Sequence, residues 1–463
     1  MYKRPILLAV LTATALPAVA QAISDTFVVD LQQVIRRVLE VSPELDAARA
    51  SQRHAEAQHA LARSSRFLTD VQATSAVSMV PGITNPNNTP SDALYSDPDV
   101  RNDFSNLSPF AQTEVLILQP LHTWGALGGS IGAATAGVKV ELNRVLEKET
   151  EAALRGAALY YNVLLTRELS WLTDRAGEIV EQAMGEIERL LQEGDPDVDD
   201  ADRYQVLIVQ QEYTRRVVEV AENLLLAQTA LRRQLMLPAQ AALEPTHESL
   251  EPLVFVPADL DVYQEAALRL RPELLQARAA LTAREALVRV AHADYYPRIV
   301  LGFSFSVSGA SNRYRQPNPF IADGFRKTSA RTGFGFQQKL NFSQTRARVA
   351  QARAKHKESE HMLTAAEQLV LLEVEEAWRS LVIEEAALAA QDSTLSISKE
   401  WLRVENINFD LDLGDTENLV RAVQANLELE ALYLQAVRRY NIAVLRLLAA
   451  SGMLIQELDM LIG

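Results

Sequence analysis

The run Leu301-Gly302-Phe303-Ser304-Phe305-Ser306-Val307-Ser308 decides how this chain folds. Successive side chains of a strand point to opposite faces. Leu301, Phe303, Phe305 and Val307 therefore share one face, and Gly302, Ser304, Ser306 and Ser308 share the other. Downstream, Phe334 and Phe336 lie on one face, with Gly333, Gly335 and Gln337 on the other. Large apolar groups on one side and small or polar ones on the other suit a strand with lipid outside and water inside. On that reading Leu301, Phe303, Phe305, Val307, Phe334 and Phe336 are the lipid-facing set. A soluble sandwich face alternates in the same way, so the surroundings must decide.

Two further segments alternate. Val71, Ala73, Val77 and Met79 oppose Gln72, Thr74 and Ser78, and another strand covers 113–121. Barrel strands are thus expected at about 71–80, 113–121, 297–308 and 332–342, joined by polar loops near 81–110 and 309–331. Trp124 follows the second strand and Tyr295-Tyr296 precede the third, so these aromatics fall where a membrane interface would lie, at the rim nearest the helices. Four strands cannot close a barrel, and an open sheet edge is forbidden in lipid. Closure therefore needs several copies. Three would give 12 strands, although the sequence favours a ring without counting its members.

The helices repeat. Asp30-Leu31, Leu39, Pro43-Glu44-Leu45 and Ala48 recur as Asp259-Leu260, Leu268, Pro272-Glu273-Leu274 and Ala277, each offset by 229 (272 less 43). Gln119 and Gly194 answer to Gln338 and Gly414. Each half carries a helix, two strands, a very long helix, a glycine break and a returning helix. The first repeat covers 23–237, a proline-rich linker 238–258 and the second repeat 259–463. Helical periodicity predicts helices at 31–66, 126–193, 200–237, 260–294, 344–412 and 416–450. The long ones span about 100 Å at 1.5 Å per residue. In each half the two shorter helices together match the long one, so they can stack end to end beside it in coiled-coil fashion.

Bulk properties narrow the function. The chain has 463 residues, 45 Lys and Arg against 60 Asp and Glu, and a formal charge of −15. That balance excludes the basic footprint nucleic acid requires. With no cysteine there is neither a disulfide framework nor a thiol to carry a lipid. Residues 1–22 read as a secretory signal: Lys3-Arg4, an apolar stretch from Ile6 to Leu16, and small-residue cleavage patterns ending at Ala20 or Ala22. His54/His59 and His356/His361 are five apart, off the spacing a helical metal site uses, and no phosphate loop appears. No metal or cofactor is expected. Gly128-Gly129-Ser130-Ile131-Gly132 matches a nucleophile-elbow pattern, but small residues at a strand-to-helix bend explain it better.

In this order the chain resembles the TolC family of outer-membrane efflux and secretion channels. The resemblance is carried by the doubled Pro-Glu-Leu, Tyr296-Pro297 before a strand, Gln119-Pro120-Leu121 with Trp124-Gly125, and the breaks Gly194 and Gly414. It implies a mixed α and β fold: a homotrimeric 12-stranded transmembrane β-barrel, four strands per chain, continued by a long periplasmic α-helical coiled-coil barrel. It implies the outer membrane of a Gram-negative-type bacterium, and partnership with a periplasmic adaptor and an inner-membrane RND- or ABC-type transporter. Such a protein is a passive exit duct in an efflux pump or type I secretion system, not an enzyme.

The resemblance also places partner docking and a gate at the tips: Gly194, Asp195, Asp197, Asp199, Asp200 and Asp202 in the first, Gly414 and Asp415 in the second. Carboxylates ringing a mouth favour cations, whereas an acid-rich helix start is also simply suited to the helix dipole. Some relatives carry two aspartates one turn apart in the second returning helix. The matching positions here, allowing a one-residue gap, are Asn418 and Arg421, so a gate would work differently, for instance through Arg421 pairing with an acid. The alternative reading is a soluble periplasmic coiled-coil adaptor whose phenylalanine stripes pack in a core. An esterase using Ser130 is the third.

Overall fold

The structure is a computed structural model and describes residues 26–457, apart from 68–69, 91–92, 96, 194–199, 248, 314–317, 319 and 412–415. The signal-like segment 1–22 lies outside the described residues.

A proline divides the opening helix of each half. Helices α1 (Leu31–Val41) and α2 (Pro43–Ser64) stand where one helix was expected at 31–66. Likewise α5 (Leu260–Leu270) and α6 (Pro272–Ala293) stand in place of 260–294. A residue preceding proline is pushed out of the helical region, and Ser42 and Arg271 take ψ of 119° and 120°. Proline itself sits comfortably in a first helical turn. The break leaves carbonyls at the end of the first helix without helical partners. Arg49 donates to the Leu39 carbonyl at 3.2 Å, and Arg278 to the Leu268 carbonyl at 2.8 Å. Donors and acceptors alike keep the 229-residue offset.

The remaining helices are α3 (Ala126–Glu193), α4 (Asp200–Gln234), α7 (Phe342–Asp410) and α8 (Thr416–Ala450). Two strands, β1 (Thr26–Val29) and β4 (Ala242–Pro245), pair in parallel. Four longer ones form an antiparallel sheet in the order β2 (Asp70–Thr84), β3 (Arg101–His122), β5 (Arg298–Ala310) and β6 (Lys327–Gln337). The first hairpin is longer than its alternating core, since β2 and β3 keep pairing through Thr84 and Arg101. By contrast, the strand expected to reach 342 stops at Gln337. Gln338 turns its amide onto the Tyr295 carbonyl at 3.1 Å, and Asn341 accepts from the backbone N–H groups of Gln344 and Thr345 to begin α7.

The chain forms two compact units. In the first, residues 26–37 pack with 156–250. Here Arg167 donates to the carbonyls of Pro245 and His247, and the Tyr160 hydroxyl meets Nδ1 of His247 at 2.8 Å. Burial pushes the Tyr160 hydroxyl up to about 12. Tyr213 of α4 lies against Gly177 of α3, where any side chain would collide with its ring. In the second unit, residues 38–155 pack with 251–457. Leu274, Leu445, Leu447, Leu448 and Leu454 are fully buried there, and α7 packs against α5, α6 and α8.

Candidate functional site

Strand registers assign each sheet residue to a face. Val71, Ile117, Phe303 and Thr332 align across the four strands, as do Gln119, Leu301 and Phe334 across three. Asp70, Leu118, Gly302 and Gly333 align on the opposite face. The first face thus gathers Leu301, Phe303, Phe305, Val307, Phe334 and Phe336 with Val71, Val77 and Met79 from the other hairpin. In a soluble chain such groups would be covered, yet Val77, Phe334 and Phe336 are 83%, 75% and 77% exposed, and Phe303 and Val307 are exposed as well. Leu301 and Phe305 are half-buried. Two hydroxyls on this face, Ser75 and Thr113, satisfy each other at 3.0 Å. The opposite face carries Gln72, Thr74, Gln112, Glu114, Ser304 and Arg331, with Ser306 and Ser329 bonded at 2.9 Å.

The strand order leaves β2 and β6 each with one side unpaired. A continuous exposed apolar stripe and two open edges are hazards in water. They are what a sheet needs if hydrocarbon covers the stripe and neighbouring copies cover the edges.

At the helix-side rim the aromatics form a cluster. Trp124 donates from its indole to the Pro297 carbonyl at 2.8 Å and stacks on Tyr296 at 5.0 Å. His122 meets Trp124 edge-on, and His292 meets Tyr295 and Tyr296. Trp124 and Gly125 have φ of 51° and 89°, left-handed values that turn strand β3 into helix α3. Asp294 ties the same rim together through Arg298, Lys339 and Arg348. Ser130 lies inside α3 with its hydroxyl donating to the Ala126 carbonyl at 2.9 Å, a helix back-bond and not a strained elbow. Among the described residues no group of His, Asp or Glu is arranged to hold a metal ion.

The far rim holds a centre that sequence reading missed. Arg313, 7% exposed on its side chain, pairs with both oxygens of Asp323 at 2.7 and 2.9 Å. It also donates to the Pro81 carbonyl at 2.7 Å and to Asn102 at 3.0 Å, and it stacks over Phe325. Phe325 in turn packs on Val80, Phe110 and Ala310. An arginine inside a polar loop gives no sign in sequence that it will be buried. Nearby, the Thr89 hydroxyl, the Asp99 N–H and Asn87 hold the Asp97 carboxyl below its usual range.

The tips are only partly described. Gly194, Asp195, Asp197, Asp199, Gly414 and Asp415 lie outside the described residues, as does the side chain of Asp202. Asp200 opens α4 and sits 3.8 Å from Arg203. Asn418 and Arg421 are exposed on α8, and Arg421 pairs with Glu417 of its own helix at 2.5 Å.

Residues 263–453 match the family described as outer membrane efflux protein. Solved structures share the fold over nearly the whole chain. CusC is 17% identical with a TM-score of 0.73, covering 92% of this chain and 93% of that one. The open-state MtrE outer membrane channel of Neisseria gonorrhoeae is 18% identical with a TM-score of 0.71, covering 92% and 89%. The CmeC outer membrane channel of Campylobacter jejuni is 15% identical with a TM-score of 0.70, covering 92% and 86%. No curated protein matches the sequence.

Proposed function

We infer, for a chain whose residues 263–453 match the outer membrane efflux protein family and which shares over 92% of its length the fold of solved outer-membrane channels, that the protein is the outer-membrane exit duct of an efflux or secretion assembly. The observation that carries this reading is the exposed apolar face on a sheet with two open edges. The β6 edge of one subunit pairs with the β2 edge of the next, and three subunits close a 12-stranded barrel. Leu301, Phe303, Phe305, Val307, Phe334 and Phe336 then face lipid. Trp124, Tyr295 and Tyr296 lie at the periplasmic interface, where amphipathic rings settle.

The duct performs no chemistry of its own. An inner-membrane transporter of the RND or ABC type, directly or through a periplasmic adaptor, loads it at the tips around Gly194 and Gly414. Solutes pass through a wet lumen whose wall hydroxyls and amides replace part of their hydration. The soluble-adaptor alternative would require the phenylalanine stripes to be covered within one chain, and their exposure argues against it.

The test is purification and reconstitution. A trimer that requires detergent and conducts ions in a planar bilayer supports the duct, whereas a detergent-independent protein without conductance would replace it with the adaptor. At the tip, Asp200→Lys should weaken cation preference or transporter docking, and unchanged selectivity and efflux would leave Asp200 as a solvated helix start.

A further inference from the structure

We infer that Glu114 and Arg331 form a collar of alternating charge around the inside of the barrel, one that keeps the passage indifferent to the sign of a solute. The inference rests on the trimeric reading above. Between the strand ends, residues 71–80, 107–119, 299–310 and 328–336 contain just two ionisable side chains, and these are Glu114 and Arg331. Glu114 is aligned with Ser306 and Ser329, and Arg331 with Ser304 and Leu116. Both registers put the charge on the polar face, two residues apart in level, or about 7 Å along the strands. Both side chains are exposed, and neither joins an ion pair among the described residues.

The spacing follows from the strand order. Within a subunit Glu114 on β3 and Arg331 on β6 are two strands apart, with β5 between them. Across the joint, β6 meets the next subunit's β2, and its β3 comes after, again two strands on. Three acids and three bases therefore alternate around the ring, and within a subunit two strands at roughly 4.8 Å each, with the difference in level of about 7 Å, set them about 12 Å apart. That is about one Debye length at moderate salt, so each charge is partly felt by the next. Near the axis the two signs cancel. Removing one sign leaves three like charges, which concentrate counter-ions in a narrow passage.

The chain has no native cysteine, so Glu114→Cys and Arg331→Cys each present one thiol per subunit. Their rates of modification by cationic and anionic methanethiosulfonates of similar size read the field at the wall itself, independently of the tips. The anionic reagent should react several-fold faster at Glu114→Cys, where the arginines remain, and the cationic one several-fold faster at Arg331→Cys. Both preferences should shrink in high salt. Gln112→Cys, which keeps both charges, should show neither preference. Equal rates at the two charge-removing sites would overturn the collar, and failure of both thiols to react would overturn their placement in the lumen. A wild-type protein that neither trimerises nor conducts would instead overturn the trimeric reading. Should a cysteine variant fail to assemble, Glu114→Gln and Arg331→Gln carry the same prediction as opposite shifts of reversal potential in a salt gradient, and unshifted potentials overturn it.

Discussion

In the first copy of the repeat the Gln119 amide donates to the Arg66 carbonyl at 2.9 Å; in the second, Gln338 donates to Tyr295 at 3.1 Å. The arginines behind the proline breaks, Arg49 and Arg278, keep the same correspondence. Away from these joints the copies differ. The first tip is longer and richer in acids, while behind the second tip Glu417 and Arg421 pair on α8. Tyr160, buried in the first copy, has Arg379 at the matching position, 219 residues on, exposed and paired with Glu375. Where a helix gives way to a strand or another helix, backbone groups must be satisfied whichever copy they belong to. At exposed helix ends water can satisfy those groups, so the side chains there are free to diverge.

The largest effect should come from charging the apolar face. Ile117→Arg in the first copy and Phe303→Arg in the second alter neighbours across β3 and β5, at about 2–4 kcal/mol per charge if they lie near mid-bilayer. Both should abolish the trimer in detergent, and a normal trimer yield from either would break the equivalence of the hairpins. Next comes Tyr160, which belongs to the first copy alone. Its hydroxyl is held at about 12 in the folded state, above the ordinary value of 10.0. The stabilisation is therefore complete below pH 10 and is lost as the pH rises through 12. Tyr160→Phe should flatten the alkaline limb of a pH–stability curve, and an unchanged slope would remove the tyrosine from that account.

Smaller effects sharpen the likeness of the joints. Gln119→Ala and Gln338→Ala should each cost about 1 kcal/mol in urea unfolding. Unequal losses would mean that one bond is redundant. Smallest of all, Glu417→Gln should change stability by only a few tenths of a kcal/mol, since exposed i,i+4 pairs contribute little. A large loss in a thermal melt would give the second tip a structural role.

The alternation of Leu301 to Ser308 made the two faces of β5 legible, and 68 residues from Ala126 to Glu193 without a proline made α3 legible. The outer parts of the first hairpin were not. Residues 101–106 read Arg-Asn-Asp-Phe-Ser-Asn, polar on both faces apart from Phe104, so they carry no apolar alternation from which a strand could be read. The breaks at Pro43 and Pro272 were not legible either, because helical periodicity runs through both and one continuous helix was expected at 31–66 and at 260–294. Strand order and register had to come from the structure, because local sequence does not say which strand stands beside which. The relation of Glu114 to Arg331 depends on both.

If the sheet's two margins are mated by neighbouring copies, as proposed, a subunit with one spoiled margin harms more than itself. It can enter a ring through its sound side and leave that ring unable to shut. With the proposed three copies per ring, a cell making normal and spoiled copies in equal amounts would complete roughly one ring in eight from sound copies alone. Loss of one allele's edge chemistry should therefore behave as a dominant trait.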